Sequence, residues 1–238
     1  MNARKNIKRI ESMNSTLQLS TNHLAKVRKY SLLAASSLAI LPSCGEEENI
    51  EKLIDYVNVQ PDITLTPLPT IVYEIFSPIL DLIRVIDFND DGIDELSIRI
   101  VNYKIERYYD YFPFFYQGTS TVTAINGAQV LTRTEALDSV GDGIVAKGLE
   151  LGEPINASQN IWGETGDLGL DQIYEDSTTI QFGDFLGAEK FLGVQFEVSG
   201  QKHYGWVRIS VTADSRSLRI MDYAYHLSPN TSIEAGEK

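Results

Sequence analysis

In the last third of the chain apolar residues recur at every second position. Leu192, Val194, Phe196 and Val198 alternate with small or polar neighbours, and Val207, Ile209 and Val211 do the same further on. Alternation puts successive side chains on opposite faces of an extended chain, so each run predicts a strand with one apolar face. The stretches SGQK and TADSRS supply turns, and residues 191–227 therefore predict a three-strand meander. Upstream, TIVYEIF, LIRVIDF, ELSIRIVNY, STVTAIN, AQVLTRT, GIVAKGLEL and TTIQFGDFL are further strand candidates, separated by Gly, Asp, Asn and Ser. No helical period is sustained after residue 55.

About ten short strands with turn residues between them predict an all-β domain over residues 67–238, an antiparallel β-sandwich closed by the C-terminal meander. No fixed-period repeat supports a propeller or solenoid. The ending SPNTSIEAGEK reads as a polar exit strand or tail. Residues 44–66 read as an acidic linker, with a short helix around Ile50, Leu53 and Ile54 that turns extended near Pro61.

Composition changes this picture only through charge. The first 43 residues hold seven of the 20 basic residues and one of the 33 acidic ones, which leaves 13 against 32, a net of -19, on the remainder. A body that acidic repels phosphate backbones, whose binders need Lys and Arg to displace counterions, and nucleic-acid partners are excluded.

The single cysteine, Cys44, rules out an intramolecular disulfide and a multi-cysteine metal site. Before it come a basic cluster at Lys26, Arg28 and Lys29 and about a dozen apolar or small residues. That run is shorter than the roughly 20 residues that cross a bilayer and has the layout of a secretory signal, so residues 1–43 read as a signal peptide. LPSC, with Leu41 three residues before the cysteine and Ser43 directly before it, resembles a bacterial lipobox, although Pro42 departs from its usual small residue. The resemblance implies lipidation of Cys44 and a membrane partner reached through an N-terminal lipid anchor. The acidic GEEEN that follows resembles the surface-export signal of Bacteroidetes lipoproteins, and otherwise reads as a solvated tether. The expected location is the outer membrane, with the protein lipid-anchored and surface-exposed.

The stretch DFNDDGIDEL, residues 87–96, concentrates five carboxylates. Calcium takes about six to eight oxygens, and a tight loop supplies them when acidic side chains fall on alternate residues and a glycine permits the turn. Asp87, Asn89 and Asp91 fill the first, third and fifth places, Gly92 the sixth, the Ile93 carbonyl the seventh and Glu95 the ninth. Asp90 and Asp94 fall between the ligands and are expected to point outward or to orient them. Ile98 stands where an EF-hand has its twelfth-place glutamate, and the flanks are strand-like, so the loop is not an EF-hand. It resembles the DxDxDGxxD calcium loops that cap β-hairpins in bacterial extracellular repeats, here in one copy. The alternative is a solvated Asn/Asp/Gly turn, in which the acids repel one another.

Other chemistry is sparse. GxSxG, HExxH and Walker A motifs are absent, and outside the signal region only His203 and His226 remain. His203 reads as a packed or edge residue. Asp184, Glu189, Glu197 and Asp222 are acids near the C-terminal strands with no assigned role, and no catalytic residue is named. ERYYDYFPFFYQG, residues 106–118, gathers Tyr108, Tyr109, Tyr111, Phe115 and Tyr116 beside Arg107, Asp110 and Gln117. Exposed, such rings would stack on sugar faces; buried, they would fill the core, which asks less of the sequence.

The block FLGVQFEVSGQKHYGWVRISV with LRIMDYAYHLSPNTSIEAG resembles a recurrent ending of uncharacterised secreted bacterial proteins, in which an HYGW-type strand precedes a DYAY-type strand. The resemblance implies a secreted β-rich domain and transfers no catalytic residue. The expectation is a non-catalytic, calcium-stabilised surface protein that contacts carbohydrate or an envelope protein. The alternative is a secreted polysaccharide-acting hydrolase using two carboxylates about 5 to 9 Å apart.

Overall fold

The computed structural model describes residues 54–68, 70–72, 81–105, 114–137, 141–159, 161–174 and 177–238. In chain order the strands are β1 (Ile54–Leu65), β2 (Thr70–Val72), β3 (Asp81–Ile86), β4 (Leu96–Ile105), β5 (Phe114–Ala124), β6 (Gln129–Leu137), β7 (Gly141–Ala146) and β8 (Gly148–Leu149). There follow β9 (Pro154–Ile155), β10 (Trp162–Gly163), β11 (Thr165–Tyr174), β12 (Thr179–Phe182), β13 (Glu189–Val198), β14 (Gln201–Val211), β15 (Leu218–His226) and β16 (Ile233–Glu234). The described residues contain no helix, so the all-β class expected from the alternating pattern is what forms.

Fourteen of these strands belong to one sheet, in the order β1-β15-β14-β13-β6-β7-β11-β5-β4-β2, with β10, β12, β3 and β8 attached at its sides. Pairing is mixed. Most neighbours are antiparallel, but β2 runs parallel to β4 and β7 parallel to β11. The expected meander is present as β13, β14 and β15, joined by a hairpin at Ser199–Gly200 and the Thr212–Ser217 turn. Ser199, Gly200 and Ser215 all take positive φ there.

The expected linker is not a linker along most of its length. Residues 54–65 form β1, which pairs antiparallel with β15 from Ile54↔His226 to Leu65↔Leu218. The helix expected to include Ile54 is replaced there by strand, because beside β15 Ile54 and Tyr56 pack against the core on one face and Ile63 against the core on the other, more burial than a short isolated helix would give. Residues 44–53 lie outside the described residues.

Two cores lie on opposite faces of the meander. The larger takes Leu96, Ile98 and Ile100 from β4, Val122 from β5 and Val194, Val207, Ile209 and Ile220 from the meander, so strands from both ends of the sheet path close around one interior. The smaller packs Tyr204, Trp206 and Ala224 of the other face against Leu131, Leu149, Ile155, Ile233 and Ala235. Ile233 and Ala235 belong to the ending expected to be a polar exit strand or tail. A strand does form, but it turns back and buries Ile233: β16 pairs with β9, and the Trp206 indole donates to the Glu237 carbonyl at 3.2 Å. This covering explains why β14 is buried continuously from His203 to Val207, with no exposed alternate residue.

Candidate acidic-loop site

Residues 87–95 join β3 to β4, which pair in register from Asp81↔Val101 to Ile86↔Leu96, so the loop caps a hairpin as its flanks predict. Its backbone is folded around its own carboxylates. The amides of Asp91 and Gly92 donate to Asp87 (3.3 and 2.8 Å), the amide of Asp91 also to Asn89 Oδ1 at 3.0 Å, and that of Ile93 to Asp91 at 2.8 Å. Asp90 and Gly92 turn through positive φ, at 56° and 87°. Glycine meets the second demand without strain.

Phe88, Glu95 and Asp94 fix the loop to the body. Phe88, second in the loop and 2% exposed, enters the main core between Phe196 and Tyr223, with ring centroids 5.1 and 5.3 Å away. Glu95, 5% exposed, accepts from the Phe88 amide at 2.7 Å, while its own carbonyl accepts from Ile125 N–H at 2.9 Å. The neighbouring Asp94 carbonyl accepts from Asn126 at 2.8 Å.

As a result Asp87, Asp91 and Glu95 each present a carboxylate oxygen within 4.8 Å of the other two. Glu95 is the strained member. Burial, opposed by the Phe88 hydrogen bond and reinforced by Asp87 and Asp91, raises its pKa to about 7. Burial, then the charges of Asp55 and of the loop's Glu95, Asp91 and Asp87, push the Tyr225 hydroxyl up to about 12. The Asn89 Nδ2 is buried without a hydrogen-bond partner, although its Oδ1 is used. Asp90 and Asp94, placed between the expected ligands, instead line a cleft of about 410 Å³ beside the loop.

The geometry suits a hard cation. Two oxygens bound to one calcium at about 2.3 to 2.6 Å lie at most about 5 Å apart, and the three carboxylates satisfy that limit before any rearrangement. Ile93, whose carbonyl is the expected seventh-place ligand, is 53% exposed.

The other sequence candidates are scattered. Cys44, Tyr108, Tyr109 and Tyr111 lie outside the described residues, and Phe115 lies on β5. Tyr116 is no surface platform: it is 5% exposed, its ring lies under the Arg216 guanidinium at 4.2 Å, and with Asn102 and Pro67 it lines a cavity of about 300 Å³. His203 is buried, with Nδ1 2.8 Å from the His226 carbonyl. Asp184 is held by Arg133 at 2.6 Å and by the Gly148 amide, and Asp222, fully buried, by Arg208, Tyr56 and Lys238. Glu189 pairs with Arg208 at 3.2 Å, and Glu197 is exposed.

The sequence reading missed Phe88. An aromatic residue inside an acid-rich turn was the available signal, since only burial explains it there. Comparison with known proteins finds no match to this chain among family models, curated proteins or solved structures, so its reading rests on these residues alone.

Proposed function

We propose that this chain is a lipid-anchored, surface-facing, non-catalytic β-protein of an outer membrane, that its 87–95 hairpin holds one structural calcium ion, and that it serves in adhesion or glycan contact. The observation that carries the calcium reading is the convergence of Asp87, Asp91 and Glu95, with Glu95 buried against its charge preference. A divalent cation at that point offsets the repulsion and the burial of Glu95 together. Asn89 and the Ile93 carbonyl complete the donor set, with the Asn89 amide turned so that its oxygen faces the ion. The ion pins the β3–β4 turn; nothing in the loop's hydrogen bonding requires it to open or close.

The anchor reading is supported by the signal layout and the sole cysteine. The sandwich reading is supported by β6, whose Val130 pairs with β13 while Thr132–Leu137 pairs with β7, a strand that passes from one layer to the other. Glycan contact is supported only by the polar lining of the 300 Å³ cavity, where Asn102, Lys104 and Arg216 offer hydrogen-bonding groups, since the Tyr116 ring face is covered.

The test is thermal unfolding of the purified protein in millimolar calcium and in excess chelator. Ligand linkage gives about 3 to 4 kcal/mol of stabilisation when the ion is at about 100 to 1,000 times its dissociation constant. The shift should vanish in Asp87→Ala and persist in Asp90→Asn. An unchanged melting temperature on adding calcium removes the ion from the proposal. Labelling cells with an alkynyl fatty acid tests the anchor separately: Cys44→Ala must lose the label.

A further inference from the structure

The edges of the sheet are protected unequally. β1, at one end, carries Pro61, which has no N–H to offer, and its pairing with β15 shifts register between Asn58 and Ile63. β2 has three residues and β12 four, too short to template a long partner. β3 is different. It has six residues, contains neither Pro nor Gly, keeps an unbroken register with β4, and pairs with no other strand among the described residues. Leu82, Ile83 and Val85 are 38%, 55% and 40% exposed, and Arg84 is exposed between them. A regular, apolar, one-sided edge is a template for a further strand.

A receptacle lies beside it. The 410 Å³ cleft lies between β3 and β1, two strands that do not pair with each other among the described residues. Val57, Val59 and Ile63 of β1 with Ile220 and Tyr223 of β15 form its apolar wall, and Val85 faces them from β3. Asp87, Asp90 and Asp94 line it from the loop, against the single cation of Arg84. The chain as a whole carries a net charge of -13, which opposes a second copy as the occupant and favours a cationic one.

We propose that β3 is a strand-docking edge. Its occupant is an extended segment of a basic partner protein, which pairs with β3 through its main chain, sets alternate apolar side chains into the cleft, and directs a Lys or Arg at Asp90 and Asp94. Main-chain hydrogen bonds supply affinity and the cleft supplies selectivity. The inference does not depend on the calcium reading, because Asp90 and Asp94, at which the partner's cation is directed, are not among the ion's ligands.

Three fluorescein-labelled twelve-residue peptides test this by anisotropy against the full protein, in chelator and in calcium. One alternates valine and lysine, one alternates valine and glutamate, and one is the lysine peptide N-methylated along one strand edge. The lysine peptide should bind at least tenfold tighter than the other two. The variant Ile83→Asp/Val85→Asp adds negative charge at half-exposed positions; it should still unfold in one cooperative transition yet weaken the lysine peptide at least tenfold, whereas attraction by charge alone would strengthen it. Equal binding of the N-methylated peptide overturns strand pairing. No binding by any peptide overturns the site, and a dimer in sedimentation velocity that Ile83→Asp dissolves assigns the edge to a second copy instead.

Discussion

The Glu95 carboxylate accepts a 2.7 Å hydrogen bond from the amide of Phe88, and both side chains are turned inward from a loop whose other acids face solvent or a cleft. One pair thus couples the charge of the acidic loop to the main core. The Phe88 ring fills the space between Phe196 and Tyr223 while its amide holds the Glu95 carboxylate, and Glu95 directly precedes Leu96, the fully buried first residue of β4.

The first prediction concerns pH in the absence of divalent ions. The folded pKa of Glu95 is raised to about 7 from 4.5, so the folded protein binds the proton more tightly than the unfolded chain does. The stabilisation is fully present below about pH 4.5 and is lost as pH rises through about 7, by about 3 kcal/mol from this residue. Urea unfolding in chelator should give lower stability at pH 7.5 than at pH 5, and Glu95→Gln should flatten that slope. Calcium should remove it too, because the ion requires the ionised carboxylate.

Asp184 bears on a different window. Burial works to raise its pKa, but hydrogen bonds from Arg133 and the Gly148 amide, with the nearby positive charges, outweigh it and hold the carboxyl below its ordinary 3.8. Its stabilisation is therefore present above about pH 3.8 and is lost as pH falls further. In an acid titration Asp184→Asn should be less stable than wild type above about pH 3.8, with the gap narrowing as pH falls further.

Phe88→Ala should cost about 3 to 5 kcal/mol, the range for emptying a buried aromatic site, although the residue lies in a loop. Ile93→Ala, at a side chain 53% exposed in the same loop, should fall within about 0.5 kcal/mol of wild type. Paired chemical denaturation curves distinguish them.

Two arginines on neighbouring strands should behave oppositely. Arg208 grips the fully buried Asp222 with two hydrogen bonds, at 2.7 and 2.8 Å, while Arg219 reaches Asp62 and Glu189 at 3.6 and 3.8 Å from a half-exposed position. Arg208→Ala leaves a carboxylate in the interior without its main counter-charge and should cost about 3 kcal/mol or more. Arg219→Ala removes surface pairs and should cost less than about 1 kcal/mol.

The ending after β15 should act as part of the core. Replacing Ile233, fully buried over Trp206, Tyr204 and Ala224, with Ala should lower stability by about 2 to 4 kcal/mol. Ile233→Asp should shift Trp206 fluorescence to longer wavelength as the covering segment lifts. An unchanged emission maximum would show that the segment does not cover the ring.

By itself the sequence determined the local layer of this protein. Alternation at Leu192–Val198 and Val207–Val211 set the strands, SGQK and TADSRS set the turns, and the spacing of Asp87, Asn89, Asp91 and Glu95 set a hairpin loop able to gather carboxylates. Each depends on residues close in the chain, where period and turn chemistry act directly. Tertiary structure alone decided that residues 54–65 pair with β15, that the polar-looking ending covers Trp206, that Tyr116 lies beneath Arg216, and that β3 pairs with β4 alone among the described residues, beside a cleft shared with β1. Those outcomes depend on which apolar faces remain uncovered once the sheet has curled. A strand such as Asp81–Ile86 carries the same alternating pattern whether its outer edge is paired or bare, because the hydrogen bonds that settle the question belong to a neighbour its own residues do not specify.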